Sequence, residues 1–254
     1  MRRQLLADLA AEGEALEEVL RPLSPADWAR PTPAVGWTIA AQVAHLAWTD
    51  ELASLAVTDP AGFAARAASQ RVDAVDRAAA AGAEADPARL LARWCGGRRR
   101  LAGELADVPD GTRLPWFGPP MGVASMVTAR LMETWAHGTD VRDALGLPPT
   151  ASARLDHVAR LGTRTRAFAF TTHGLPAPVE PVRVELTRPD GSVWSDGPED
   201  ADQRVSGPLL DFCLRVVQRR PRGELALTAT GRDADRWLDV AQAFAGPPGR
   251  GSAP

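Results

Sequence analysis

The chain has 254 residues, 45% hydrophobic and 24% charged, and its 29 basic and 32 acidic side chains leave a formal net charge of -3. This size and composition are typical of a globular protein and exclude a collagen-like, disordered or disulfide-dependent chain. A net charge this small gives no electrostatic basis for binding nucleic acid or an anionic membrane. The sequence contains no Lys, Asn or Tyr, a bias that is typical of a high-GC bacterial genome.

The cysteines and the N-terminus bear on the compartment. Cys95 and Cys213 are far apart and show no C-x-x-C spacing, so they predict neither a disulfide framework nor a cysteine-built zinc site. The N-terminal segment is amphipathic and rich in Glu, and no apolar stretch approaches about 18 residues. We therefore expect a cytoplasmic protein that neither crosses nor binds a membrane, as a monomer or homodimer.

Helical periodicity with Pro and Gly punctuation covers the first 172 residues. The expected helices are a first one ending before Pro22, a second from Thr38 to about Val57, an Ala-rich third opening at Asp59–Pro60, a fourth from Asp86–Pro87 to about Leu105, a fifth from about Val123 to Gly146, and a last one from Ser152 to about His173. Helices joined by short connections indicate an up-and-down, four-helix-type bundle.

The pattern changes after the Pro-rich stretch 175–181. Residues 182–186 alternate between apolar and polar, a PDGS turn follows, and Val193 with Trp194 supplies a partner strand, which predicts a β-hairpin. A helix from Ser206, a strand over 224–228 and a helix over 233–245 complete the pattern. The predicted fold class is α+β, mainly α at the N-terminus: a bundle over 1–172, a small α+β domain over 180–246, and a disordered tail over 247–254.

Two polar groups in the predicted fifth helix could carry chemistry. Glu133 and His137 lie four residues apart, so their side chains project from the same helical face. Arg130 and Asp140 extend that face by one turn on either side and are candidates for groups that support a site. A stripe of this kind is either a solvated surface or a functional site.

His45 is a third residue that could belong to such a functional site. A lone helical histidine is usually structural, but His45 lies on the second helix of the same bundle. Together with Glu133 and His137 it would form a two-histidine, one-glutamate set that leaves one coordination position open, as catalytic zinc sites require. Helix bundles commonly hold such sites in their cores.

The segments VGWTIAAQVAHLAWTDEL and METWAHGTDVRDALG resemble the two signature segments of the DinB-like metal-binding bundle superfamily, and specifically the mycothiol-dependent maleylpyruvate isomerase family. The VRVELTRPDGSVW hairpin and the SGPLLDFCLRVV helix are similar to the C-terminal domain of those proteins. The resemblance implies that His45, Glu133 and His137 hold a divalent metal, with zinc as the first expectation. It also implies mycothiol, or a similar low-molecular-weight thiol, as cosubstrate.

These expectations leave several functions open. A metal-bound thiolate could isomerise a double bond or take part in S-transfer on a small-molecule substrate, whereas the same metal with water would hydrolyse. A noncatalytic protein that binds a metal or a small ligand is the rival hypothesis, and a DNA-associated regulator is disfavoured by the charge.

Other residues have alternative interpretations. Cys95 could be a nucleophile beside the 98–100 arginine run, although a core role is the commoner one, and Cys213 falls in an apolar helical stripe. The arginine run itself is a solvated face or a clamp for a substrate carboxylate. We expect Trp48 and Trp135 as pocket walls, and His157 and His173 as structural or surface residues.

Overall fold

The structure is a computed structural model that describes residues 2–71 and 73–246. It divides the chain into two compact units, one ending at Thr150 and one beginning at Ala151. The predicted α+β class is confirmed: the first unit is a helical bundle, and the second combines helices with a small sheet. No helix within the described residues is both long and apolar enough to cross a membrane.

The elements of the first unit are the helices α1 (Arg2–Leu20), α2 (Pro25–Trp28), α3 (Ile39–Thr58), α4 (Pro60–Ala68), α5 (Ala74–Ala83), α6 (Pro87–Asp107) and α7 (Val123–Ala144), with the short strands β1 (Arg113–Leu114) and β2 (Met121–Gly122) before α7. The four long helices α1, α3, α6 and α7 form the bundle. Helix α3 is its most buried element, since it packs against α5, α6 and α7.

Local capping sets the helix starts where the sequence predicts them. The side chains of Thr38, Asp59 and Asp86 each accept a hydrogen bond from a backbone N–H in the first turn of their helix. The Ala-rich third helix, expected to be continuous, is instead two helices, α4 and α5. Ser69 donates to the carbonyl of Arg66 at the end of α4, a local bond that competes with helix continuation.

The second unit contains α8 (Leu155–Arg164), α9 (Arg166–Thr172), β3 (Val182–Thr187), β4 (Val193–Asp196), β5 (Gln203–Pro208), α10 (Leu209–Val216), β6 (Thr228–Thr230) and α11 (Arg232–Val240). Its sheet has the order β4-β3-β5-β6, and the hairpin β3–β4 is confirmed. Strand β5 lies parallel to β3 and antiparallel to β6.

Several expectations for the second unit are wrong in detail. The segment from Ser206 was predicted as helical, but α10 begins at Leu209, and residues 203–208 form β5. Val205 is the one buried apolar residue of β5, so the sequence of this segment shows no alternation of apolar and polar residues. The strand forms because it pairs with β3, where Val205 lies opposite Val184. The strand expected over 224–228 forms later in the chain, as β6 (Thr228–Thr230). The last helix ends at Val240 rather than near residue 245.

The predicted domain boundary also differs from the structure. Helices α8 and α9 were assigned to the bundle, yet they pack against α10, α11 and β4 and belong to the second unit. The sequence marks a break between α7 and α8, but the pattern beyond this break is again helical and gives no sign that α8 and α9 pack outside the bundle. The expected disordered tail, 247–254, lies outside the described residues.

Candidate metal centre

Packing of α3 against α7 brings the three candidate ligands together. Nε2 of His45 and Nε2 of His137 each lie 3.3 Å from the same oxygen, Oε2 of Glu133. One ligand atom from each residue lies within 4.8 Å of the other two. Among the described residues, no fourth His, Cys, Asp or Glu joins this group.

The spacing of these atoms fits a bound divalent metal. Zinc bonds of about 2.0–2.1 Å in a tetrahedron place neighbouring ligand atoms about 3.3–3.4 Å apart. The two observed N–O separations of 3.3 Å match that edge and exceed the length of about 2.7–2.9 Å of a direct charge-assisted hydrogen bond. Two imidazoles and one carboxylate would hold the metal and leave one tetrahedral position open.

Gln42 orients His137. The Gln42 amide nitrogen donates to the Thr32 hydroxyl over 2.9 Å, and this hydroxyl in turn donates to the carbonyl of Trp37. The Gln42 oxygen therefore faces Nδ1 of His137 and accepts a hydrogen bond from its N–H. The proton on Nδ1 leaves Nε2 of His137 with a free lone pair toward Glu133, the tautomer that a metal ligand needs.

His45 lacks an equivalent support. Its side chain is buried, and its Nδ1 has no hydrogen-bond partner among the described residues. Its backbone carbonyl accepts from the hydroxyl of Thr49 one turn later on α3. The position of His45 therefore depends on how α3 sits against α7.

The carboxylate of Glu133 is ionised in this environment. Burial raises its pKa, but the neighbouring imidazoles of His137 and His45 lower it by more, so that the pKa lies well below its usual value. The side chain still keeps 22% of its surface exposed. The centre thus contains an ionised carboxylate that is partly open to solvent, and both features favour binding of a cation.

Aromatic rings flank the imidazoles. Trp37 stacks on His137 with centroids 5.9 Å apart and an interplanar angle of 17°, and its centroid lies 5.3 Å from that of His45. Its indole N–H donates to Asp76 of α5, which holds the ring in place. Trp48 also contacts His45, as expected. We did not predict from the sequence that Trp37 contacts the imidazoles. The only feature of the sequence that pointed to it is its position directly before Thr38, the residue that caps α3.

The expectation that Trp135 walls the pocket is wrong. Trp135 lies two positions from both ligands on α7, and therefore points away from them. Its indole N–H donates to the carbonyl of Thr150, and it lines a small cavity together with Leu16 of α1. It packs within the bundle instead of facing the site.

The two predicted supporting residues have different surroundings. Asp140 is buried, and its Oδ2 lies 4.0 Å from Nδ1 of His137, so Gln42 is the closer partner. Arg130 turns toward α3, where it bonds to Asp50 and Thr49. The histidines His157 and His173 lie in the second unit, outside the three-residue group.

The alternative nucleophile and clamp receive no support. Cys95 and Cys213 are both buried, and burial raises the pKa of each thiol. In the arginine run, Arg98 and Arg99 pair with Glu17, and Arg100 pairs with Glu104. The chain's own carboxylates therefore occupy these guanidinium groups.

Trp48 lines a cavity besides touching His45. This cavity has a volume of about 310 Å³, and Arg66, Gln70, Arg71 and Arg77 contribute to its wall. Its one acidic lining residue, Asp73, pairs with Arg71. The cavity is large enough for a small organic molecule.

Comparison with known families decides the relationship. Residues 9–142, more than half of the chain, match the model of the mycothiol maleylpyruvate isomerase N-terminal domain. The chain belongs to this family. The match to the isomerase N-terminal domain family includes His45, Glu133 and His137, and residues 178–230 match a second model, described as wyosine base formation.

Relatives extend over nearly the whole chain. Two uncharacterized proteins of Mycobacterium tuberculosis, from strains CDC 1551 and H37Rv, are each 55% identical over 249 residues, which is 97% of this chain and 97% of each relative. The crystal structure of the mycothiol-dependent maleylpyruvate isomerase superposes with a TM-score of 0.61 at 16% identity, covering 90% of this chain and 92% of that one. A histidine-to-alanine mutant of that enzyme gives a TM-score of 0.60. These structures show that the fold is shared.

Proposed function

We propose that the chain binds one divalent metal, zinc first, through His45, Glu133 and His137. The metal would serve to activate a low-molecular-weight thiol, mycothiol or a close analogue, for isomerisation or S-transfer on a small molecule. The observation that carries this proposal is a group of three potential ligands within the domain that defines the family, with no fourth His, Cys, Asp or Glu beside it among the described residues.

A divalent metal held by these donors would supply a positive charge that lowers the pKa of a thiol bound beside it. The chain's own residues prepare the site for it. Glu133 contributes the negative charge, Gln42 holds the His137 tautomer, and Trp37 and Trp48 shield the imidazoles from water.

The nucleophile in this proposal comes from outside the chain. Cys95 and Cys213 are buried, and the raised pKa of each thiol keeps it protonated near neutral pH. Neither cysteine belongs to the metal-ligand group. We place the small-molecule substrate beside Trp48, in the cavity that this residue shares with Arg66.

A metal-dependent hydrolase is the second candidate, because the open position would accept water as readily as a thiol. A noncatalytic metal-binding protein is disfavoured by the same observation, since structural zinc sites are closed by four protein ligands.

The test is cobalt substitution of the purified protein, followed by titration with mycothiol and with glutathione. We expect one metal per chain by elemental analysis and a change in the cobalt absorption spectrum when thiol is added. His137→Ala should lose the metal, while His157→Ala, the matched control outside the group, should retain it. A Cys95→Ala, Cys213→Ala double variant should respond to thiol like the wild type.

Two results would contradict the proposal. Full metal occupancy in the His45, Glu133 and His137 single variants would remove the ligand assignment. A cobalt spectrum that no thiol changes would leave the metal site in place but favour the hydrolase.

A further inference from the structure

A buried ion pair connects the two helices that carry the candidate ligands. Nε of Arg130 on α7 donates to Oδ1 of Asp50 on α3 over 2.9 Å, and its Nη2 donates to the hydroxyl of Thr49 over 2.7 Å. Arg130 is 2% exposed and Asp50 is 4% exposed. The Thr49 hydroxyl in turn donates to the backbone carbonyl of His45, so that the network ends on a candidate ligand.

Stability alone gives no reason for this pair. Removing two charges from water costs several kcal/mol per ion, and a well-packed apolar pair in the same place is often as stable or more so. Buried ionic groups are best attested where they select one register between packed elements. The pair lies in a suitable place for that role, since Arg130 precedes Glu133 by three residues and Asp50 follows His45 by five.

The ligand group has one geometric weakness that such a pair would correct. Glu133 and His137 share a helix, and their spacing follows from helix geometry. His45 comes from another helix, and a slip of α3 by one residue would move it by about 1.5 Å. Metal–ligand distances tolerate only about 0.2 Å.

We propose that Arg130 and Asp50, with Thr49, are positioning residues that fix the register of α3 against α7 and thereby hold His45 at bonding distance from a metal shared with Glu133. This inference rests on the proposed metal site. It assigns the pair a role in metal affinity that is separable from its contribution to folding.

The test replaces both charges, Arg130→Met with Asp50→Leu, so that no unpaired charge stays buried. Metal affinity is measured by competition with a chelating dye, and the site is monitored by its cobalt absorption spectrum. We expect an affinity about 10–100-fold weaker, the range found when groups that orient metal ligands are removed, and an altered spectrum. The control is Arg188→Met with Asp156→Leu, a bidentate ion pair in the second unit, which contains none of the candidate ligands. It should leave both readouts unchanged.

A milder pair of variants keeps the test valid if the double variant does not fold. Thr49→Val removes the hydroxyl that links Arg130 to the His45 carbonyl and should also weaken metal binding, whereas Thr49→Ser retains the hydroxyl and should bind like the wild type. Unchanged affinity and spectrum in the folded variants, or an equal loss in the control pair, would overturn the positioning role. A wild-type protein that binds no metal would instead overturn the proposed function itself.

Discussion

At the scale of single residues, the candidate centre depends on one neutral amide. Gln42 is fully buried, and hydrogen bonds on both sides fix its orientation, with Thr32 accepting from its nitrogen and His137 donating to its oxygen. The tautomer of His137 is therefore set before any metal binds. Groups of this kind commonly change metal affinity without being ligands.

Gln42→Leu should weaken metal binding by about 10–100-fold, because Nδ1 of His137 loses the acceptor that fixes the tautomer of the imidazole. Gln42→Glu, which keeps an acceptor oxygen, should retain affinity. Dye-competition titration measures both. The control is Gln4→Leu, an exposed amide on α1. Equal affinities for Gln42→Leu and Gln4→Leu would contradict a role for Gln42.

At the scale of elements, close packing of α8 against α10 defines the second unit. A Cβ atom added at Gly162 of α8 would lie 2.9 Å from Cγ1 of Val216 and 3.1 Å from a ring carbon of Phe212. The two helices therefore approach each other at a position where only a hydrogen atom fits. This contact holds α8 in the second unit, although its helical pattern is of the same kind as that of the bundle helices.

Gly162→Ala should lower the unfolding temperature. Overpacking costs about 1–3 kcal/mol, which exceeds the gain of about 0.5–1 kcal/mol from replacing a helical glycine. Gly103→Ala on α6 is the matched control, since nothing lies within 4 Å of its added Cβ, and it should be stabilising. Both variants should keep the metal affinity of the wild type. A stabilised Gly162→Ala would show that α8 and α10 separate easily.

At the scale of the whole molecule, every residue of the candidate centre belongs to the first unit. The three ligands, Gln42 and the ion pair of Arg130 with Asp50 all precede residue 150. Metal binding should therefore be a property of this unit.

A fragment of residues 1–150 should fold and bind one metal with an affinity close to that of the full chain. A fragment of residues 1–172, which ends at the boundary predicted from the sequence, should aggregate, because it carries α8 and α9 without the partners that bury Val158 and Phe170. Elemental analysis and size-exclusion chromatography compare the two. A monomeric, more stable 1–172 fragment would favour the earlier boundary.

The sequence by itself determined the features that depend on a few neighbouring residues. The caps at Thr38, Asp59 and Asp86 start their helices locally, and the PDGS turn closes the β3–β4 hairpin. The one-turn spacing of Glu133 and His137 follows from the helical repeat. Local hydrogen bonds and backbone geometry decide these features, and both depend only on residues that are close together in the sequence.

Only the tertiary structure decided how distant segments meet. His45 and Glu133 lie 88 residues apart, and the sequence grouped them only as a hypothesis, which the resemblance to a family supported. Trp37 rather than Trp135 covers the imidazoles, β5 forms beside β3, and α8 with α9 belongs to the second unit. The physical reason is that each of these features depends on how side chains of different elements pack together. The periodicity of a single helix or strand does not specify which other element it packs against.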